Sequence, residues 1–156
     1  MQWIFGAFLV VSVIHMAEEY FFPGGFMEMM KLLNPRFAPF VTVPMAIIIN
    51  GMQLLLCVVA IAIGERAVVF GLSIAALLLL NGLVHIAACI RVKGYAPGVI
   101  SGVLLYLPVS VYAYHRALSS GLLTVHGMLV TFVLGLLYSA VPICYLALAS
   151  RLSRRH

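Results

Sequence analysis

The chain contains no aspartate. Its only acidic side chains are Glu18, Glu19, Glu28 and Glu65. Charged residues of both signs make up 8% of the sequence, where a typical soluble domain carries roughly 25%. So little charge excludes an ordinary soluble globular domain. Cysteine is scarce as well. Cys57, Cys89 and Cys144 each stand alone in an apolar run, which excludes a disulfide framework or a thiolate cluster and predicts three small buried hydrophobes. The net charge is +5, but the basic residues fall singly or in pairs at segment ends, which excludes a nucleic-acid-binding surface. The first apolar run has neither a basic leader nor a small-x-small cleavage site, so it is expected to be retained and not removed as a signal peptide.

What is present is hydrophobic sequence: 65% of the residues, with a mean hydropathy of +1.18. It falls into continuous apolar runs at residues 3–20, 41–63, 68–90, 98–115 and 122–150. A bilayer core is crossed by roughly 20 apolar residues in a helix. Only helices and closed barrels satisfy their backbone groups in lipid, and these runs do not alternate as barrel strands do. The expected fold is therefore all-α: one membrane domain over residues 1–156, an integral bundle of five transmembrane helices with no soluble domain beside it. Pro44, Pro108 and Pro142 fall in or near spans, where kinks are tolerable. Residues 24–38 form the one long connection. Phe26 to Leu33 within it reads as a short helix in the interface, with Glu28 and Lys31 at i, i+3, or alternatively as a lid.

Orientation follows from counting Lys and Arg by loop. Lys31 and Arg36, Arg91 and Lys93, and Arg151, Arg154 and Arg155 share one side; Arg66 and Arg116 share the other. The N-terminus is expected outside and the C-terminus in the cytoplasm, with the tail "RLSRRH" as an anchor near anionic lipid.

An ionisable residue inside a span is a functional candidate by default, because burying it uncompensated costs several kcal/mol. His15, Glu18 and Glu19 stand at i, i+3 and i+4, on one face of span one. Asn81 and His85 share a face of span three, which Cys89 extends. At about 1.5 Å per residue, His15 lies roughly 8 Å before Tyr20 and His85 roughly 9 Å before Arg91, so the histidines share a layer. Asn50 and Asn81 lie roughly one turn deeper, and Tyr106 of span four falls between the two layers. Gln53, Ser110 and Ser139 read as interhelical glue, and His115 and His126 as interfacial. The bland alternative for the cluster is that the glutamates snorkel and the histidines are satisfied within the bundle.

Two histidines and two carboxylates make a workable divalent-metal set. His15, Glu18, Glu19 and His85 are the candidate ligands, for zinc or iron. A di-iron carboxylate site wants more acids. A metal-free site is the alternative, with Glu18 or Glu19 as acid and base and the histidines as proton partners. Glu18, Glu19, His15 and His85 are thus the candidate catalytic residues, and Asn50, Asn81 and Tyr106 the candidate substrate contacts. The substrate expected is a lipophilic small molecule arriving from the bilayer, with membrane lipid as the surrounding partner and a homo-oligomer allowed.

His15-Met-Ala-Glu18-Glu19 resembles the H-x-x-E-E signature of the HXXEE family of small bacterial membrane proteins. The likeness continues through "NGLVHIAACIRVKGYAPGVISGVLLYLP", Asn81 to Pro108, with its Asn-x3-His and Tyr-x-Pro-Gly patterns. The resemblance implies a multi-pass protein of the bacterial cytoplasmic membrane and its key residues, but no reaction. A looser likeness of architecture links the chain to sterol-isomerase-type membrane proteins, with no shared motif. The leading expectation is a membrane-embedded enzyme doing metal-assisted or acid/base chemistry. The alternatives are a metal-ion or proton transporter and a non-catalytic lipid-binding subunit.

Overall fold

The computed structural model describes residues 1–153, and among these there are helices and no strand. Helix α1 spans Gln2–Phe21 and stops where Pro23 forces Phe22 into an extended conformation. Helix α2, Phe26–Leu33, is followed by a 3-10 turn, Pro35–Phe40. Helix α3, Val43–Ile63, begins two residues later than the apolar run because Thr42 caps it, accepting the Met45 N–H at 3.4 Å. Pro44 therefore lies in the first turn, where its missing N–H costs nothing, and it makes no kink. A 3-10 turn, Gly64–Ala67, leads into α4, Val68–Val92.

The next run was expected at residues 98–115. Helix instead continues over 99–119 in three parts: α5, Val99–Ser101; a π turn, Gly102–Tyr106; and α6, Leu107–Ser119. Pro108 has no N–H to return to the preceding turn. The widened register, with Leu107 N–H bonded to Gly102 O, absorbs the break. Helix α7, Val125–Leu152, starts at Thr124, whose hydroxyl accepts from Gly127 N–H at 3.0 Å, and it carries Pro142 inside. Three stretches are long and apolar enough to cross a membrane: Gln2–Phe21, Val43–Val92 and Val125–Leu152. The second is the α3–α4 hairpin taken together. The proposed tail anchor rests largely on Arg154, Arg155 and His156, which lie outside the described residues.

Side-chain pairings set the packing. Ser12 meets Cys57 and Tyr20 meets Asn50, so α1 runs antiparallel to α3. Phe5 lies against Gly71 and His15 against His85, so α1 runs parallel to α4. Gly82 meets Gly102 and Leu72 O accepts from Tyr114, so α4 runs antiparallel to the 99–119 helix. In lipid there is no hydrophobic force between helices, so close packing of small residues holds them. At Gly135 a Cβ would stand 2.6 Å from Ala76 Cβ and 3.0 Å from α4 backbone. One half of the bundle is filled with apolar side chains, among them Ile4, Phe5, Phe8, Leu72, Ile74 and Leu78. The other half holds the polar cluster, and α2 packs Met29 against Ala88 and Ala96 at that end.

Several expectations need correction. Cys57 is buried, but Cys89 is half-buried, with its Sγ accepting the Ala96 N–H at 3.2 Å, and Cys144 faces outward. Ser139 bonds its own helix, to Gly135 O at 2.9 Å, so it bridges nothing. Ser110 Oγ is buried with no partner among the described residues. Gln53 does join helices, as expected of it.

Candidate metal centre

The last two turns of α1 put His15 and Glu19 one above the other, one helical turn apart. The parallel α4 brings His85 to the same depth, as the rise per residue predicts. All three are buried, with 2%, 4% and 2% exposure for His15, Glu19 and His85. Glu19 Oε1 lies 3.5 Å from His15 Nε2 and 3.2 Å from His85 Nε2. The two imidazoles stand edge to face, with centroids 4.8 Å apart. His15 Nε2 and His85 Nδ1 have no hydrogen-bond partner among the described residues.

Gly98 closes the floor. Its φ of +92° is one that residues with a Cβ rarely adopt, and a Cβ there would stand 2.5 Å from His85 Cε1 and 2.9 Å from His15 Cε1. The glycine thus lets the backbone seat directly on both rings.

Glu18 lies outside this group, contrary to its expected place among the ligands. Its Oε1 accepts from Tyr95 OH at 2.8 Å and Ile100 N–H at 3.0 Å. Its Oε2 accepts from Ser101 N–H at 2.7 Å and Ser101 Oγ at 2.5 Å. The physical reason is the start of the 99–119 helix, whose first N–H groups have no intrahelical partner and attract a carboxylate. Glu18 supplies it from a neighbouring helix. Ser101 Oγ also meets His15 Nδ1 at 2.8 Å. Tyr95 sits in the loop between α4 and α5. Burial and the hydrogen bond to Glu18 push its phenol well above the ordinary tyrosine value.

The three expected substrate contacts are placed differently from one another. Tyr106 is fully buried, stacks on His15 at 4.2 Å, and accepts from Gln53 Nε2 at 2.9 Å. Asn50 donates to Tyr20 OH at 2.6 Å, near the α1 terminus. Asn81 is half-buried, its Oδ1 shielded and without a partner among the described residues. His115 and His126 are exposed, away from the cluster. A groove of about 370 Å³ runs between α1 and the 99–119 helix. Its walls include Ile14, Phe21, Phe22 and Leu104, and Glu18 and Ser101 border it.

His15, Glu19 and His85 offer one donor atom each, all within 4.8 Å of one another, an arrangement that could hold a metal ion. Two ligands bound at about 2.1 Å in a tetrahedron lie roughly 3.4 Å apart. The observed 3.2 and 3.5 Å separations from Glu19 fit that edge length, while the spread of the three donors reaches 4.8 Å, so the imidazoles must close in to share an ion. Two imidazoles and one carboxylate suit zinc with an open fourth position, and equally the facial triad of non-haem iron.

Reading the sequence for ionisable residues inside spans missed Ser101, Tyr95 and Gly98. Tyr95 and Gly98 carried a signal, the Tyr-x-Pro-Gly pattern at the end of the third run. Ser101 carried none, since a serine in an apolar helix is ordinary.

Apolar helices closed around a buried imidazole–carboxylate cluster define a class: all-helical proteins with bilayer-length apolar stretches and a site of metal-ligand type. Within that class, the chain belongs to the family of proteins of unknown function with an HXXEE motif, whose sequence profile matches residues 6–113. The matched region contains every residue of the cluster. Comparison with curated proteins and with solved structures gives no match.

Proposed function

We propose that this protein is a five-span membrane enzyme that binds one divalent metal, zinc or iron, through His15, Glu19 and His85 and acts on a lipophilic small molecule. The observation that carries the reading is the convergence of three buried donor atoms, one of them, His15 Nε2, with no hydrogen-bond partner among the described residues. Burying a carboxylate between two imidazoles in a dry interior is costly unless a cation is shared among them. A bound metal would act as Lewis acid or redox centre at its open position. Glu19, His15 and His85 hold it, and Tyr106 walls His15 from one side.

Five spans are supported by length. The helical run of residues 99–119 covers roughly 30 Å at 1.5 Å per residue, enough to cross alongside α1, α3, α4 and α7. The site then lies in the Lys/Arg-rich half, which the charge bias sends to the cytoplasm. The groove beside Glu18 and Ser101 has apolar walls, which supports a lipophilic substrate entering sideways from the bilayer. Ile4, Phe5, Phe8 and Leu72 fill the opposite half, which disfavours a transport path across the bundle.

The test is elemental analysis of detergent-purified protein, followed by cobalt(II) titration of the chelator-treated form. One zinc or iron per chain is expected, lost in His15→Ala and His85→Ala and weakened in Glu19→Gln. Wild-type protein that neither retains zinc or iron nor takes up cobalt overturns the proposal. A Leu104→Trp variant that keeps its metal should bind a lipophilic photoprobe less well, because the indole fills the groove.

A further inference from the structure

We infer that Ser101, locked by Glu18, places the imidazole proton of neutral His15 on Nδ1 and so leaves Nε2 as a bare donor pointing at Glu19. Its use in holding a metal rests on the reading above; the proton position itself does not.

The assignment follows from counting donors and acceptors. Glu18 receives two main-chain N–H groups, from Ile100 and Ser101, which can only donate. It also receives the Tyr95 hydroxyl. A carboxylate has about four lone-pair sites. The fourth contact is the Ser101 hydroxyl at 2.5 Å, the short distance of a hydroxyl donating to a carboxylate. The other acceptor near that hydroxyl, Gly98 O, is 3.4 Å away and weaker. The single hydrogen of Ser101 therefore goes to Glu18. Ser101 Oγ must then accept from His15 Nδ1, 2.8 Å away. The reverse relay would need a hydrogen on Glu18, on an oxygen already receiving donors.

A neutral imidazole with hydrogen on Nδ1 has none on Nε2. That accounts for the solitary state of His15 Nε2, buried 3.5 Å from a carboxylate oxygen and bonded to nothing among the described residues. A lone pair facing a carboxylate is unfavourable until a cation comes between them. The adjacent glutamates of the motif thus divide the work. Glu19 faces the metal position. Glu18 faces the other way, caps the 99–119 helix and orients Ser101. Ser101 and Glu18 are positioning residues, the outer partners that fix the tautomer of a ligating histidine.

The experiment uses full-length protein labelled with 15N-histidine, treated with chelator, in detergent. The expected nitrogen spectrum shows His15 hydrogen-bearing at Nδ1 and bare at Nε2. Ser101→Ala should lose that preference and Ser101→Thr, which keeps the hydroxyl, should restore it. In cobalt(II) titrations, Ser101→Ala and Glu18→Gln should bind roughly 10–100-fold more weakly at unchanged stoichiometry, with Ser101→Thr close to wild type. A wild-type His15 carrying its hydrogen on Nε2 overturns the inference without needing any variant. So does a Ser101→Ala protein with unchanged tautomer and cobalt affinity. Wild-type protein that shows the Nδ1 tautomer but binds no cobalt sustains the inference and overturns the metal reading instead.

Discussion

Replacing Gly98 by alanine should damage the site more than any other single methyl group. The new Cβ would lie 2.5 Å from His85 Cε1, 2.7 Å from His85 Nδ1 and 2.9 Å from His15 Cε1. Carbon contacts settle at about 3.5–4.0 Å, so the rings must withdraw by roughly 1 Å. They have little room, since Tyr106 already stacks on a face of His15 at 4.2 Å. Overpacking of this kind costs about 1–3 kcal/mol. The left-handed backbone, φ +92°, adds about 1–2 kcal/mol for a residue with a Cβ. The sum is roughly 2–5 kcal/mol. Gly24 supplies the control: its φ is +90°, but nothing lies within 4 Å of its Cβ position. Gly24→Ala should show the backbone cost alone, about 1–2 kcal/mol. Reversible unfolding in mixed micelles measures both, and cobalt titration should show Gly98→Ala weakened by at least roughly tenfold and Gly24→Ala unaffected. Equal destabilisation of the two variants, or normal cobalt binding by Gly98→Ala, would refute the close seating of this loop on the imidazoles.

Four further outcomes follow from particular contacts. Gly135→Ala brings a Cβ to 3.0 Å from the backbone of α4, which cannot yield as a side chain would; micelle unfolding should register a loss of about 1–3 kcal/mol. Ser110→Ala removes a buried hydroxyl without a partner among the described residues and should fall within about 0.5 kcal/mol of wild type or above it. Thr131→Ala breaks a 2.6 Å contact with Tyr114 OH and should cost about 1 kcal/mol by the same assay, so equal losses in these two variants would contradict the bonding pattern. Tyr95 has its folded-state pKa raised, so the stability it contributes is complete below the ordinary tyrosine value of about 10 and is lost as pH climbs through the higher folded value. The ultraviolet phenolate band in the difference between wild type and Tyr95→Phe should therefore still be small at about pH 10; a half-developed band there would show that the bond to Glu18 is absent.

How much of this was legible beforehand depends on whether a property is local. Hydropathy and the shortage of charge dictate apolar helices, because no other open structure satisfies its backbone in lipid. The i, i+4 spacing puts His15 and Glu19 on one face, and the rise per residue places His85 at the same depth. Helix ends shifted by a few residues where caps intervened, at Thr42 and Thr124, and the break at Pro108 became a π turn because neighbouring carbonyls could re-register. The division between Glu18 and Glu19 was not legible. Both carboxylates occupy the same turn of one helix, and nothing along the chain distinguishes them. Only the three-dimensional arrangement does, since the N–H groups that claim Glu18 belong to residues 100 and 101, more than eighty positions away. Periodicity along one helix can say which side chains share a face, but which of them meets a ring and which meets a helix end is decided by the neighbours that tertiary packing supplies.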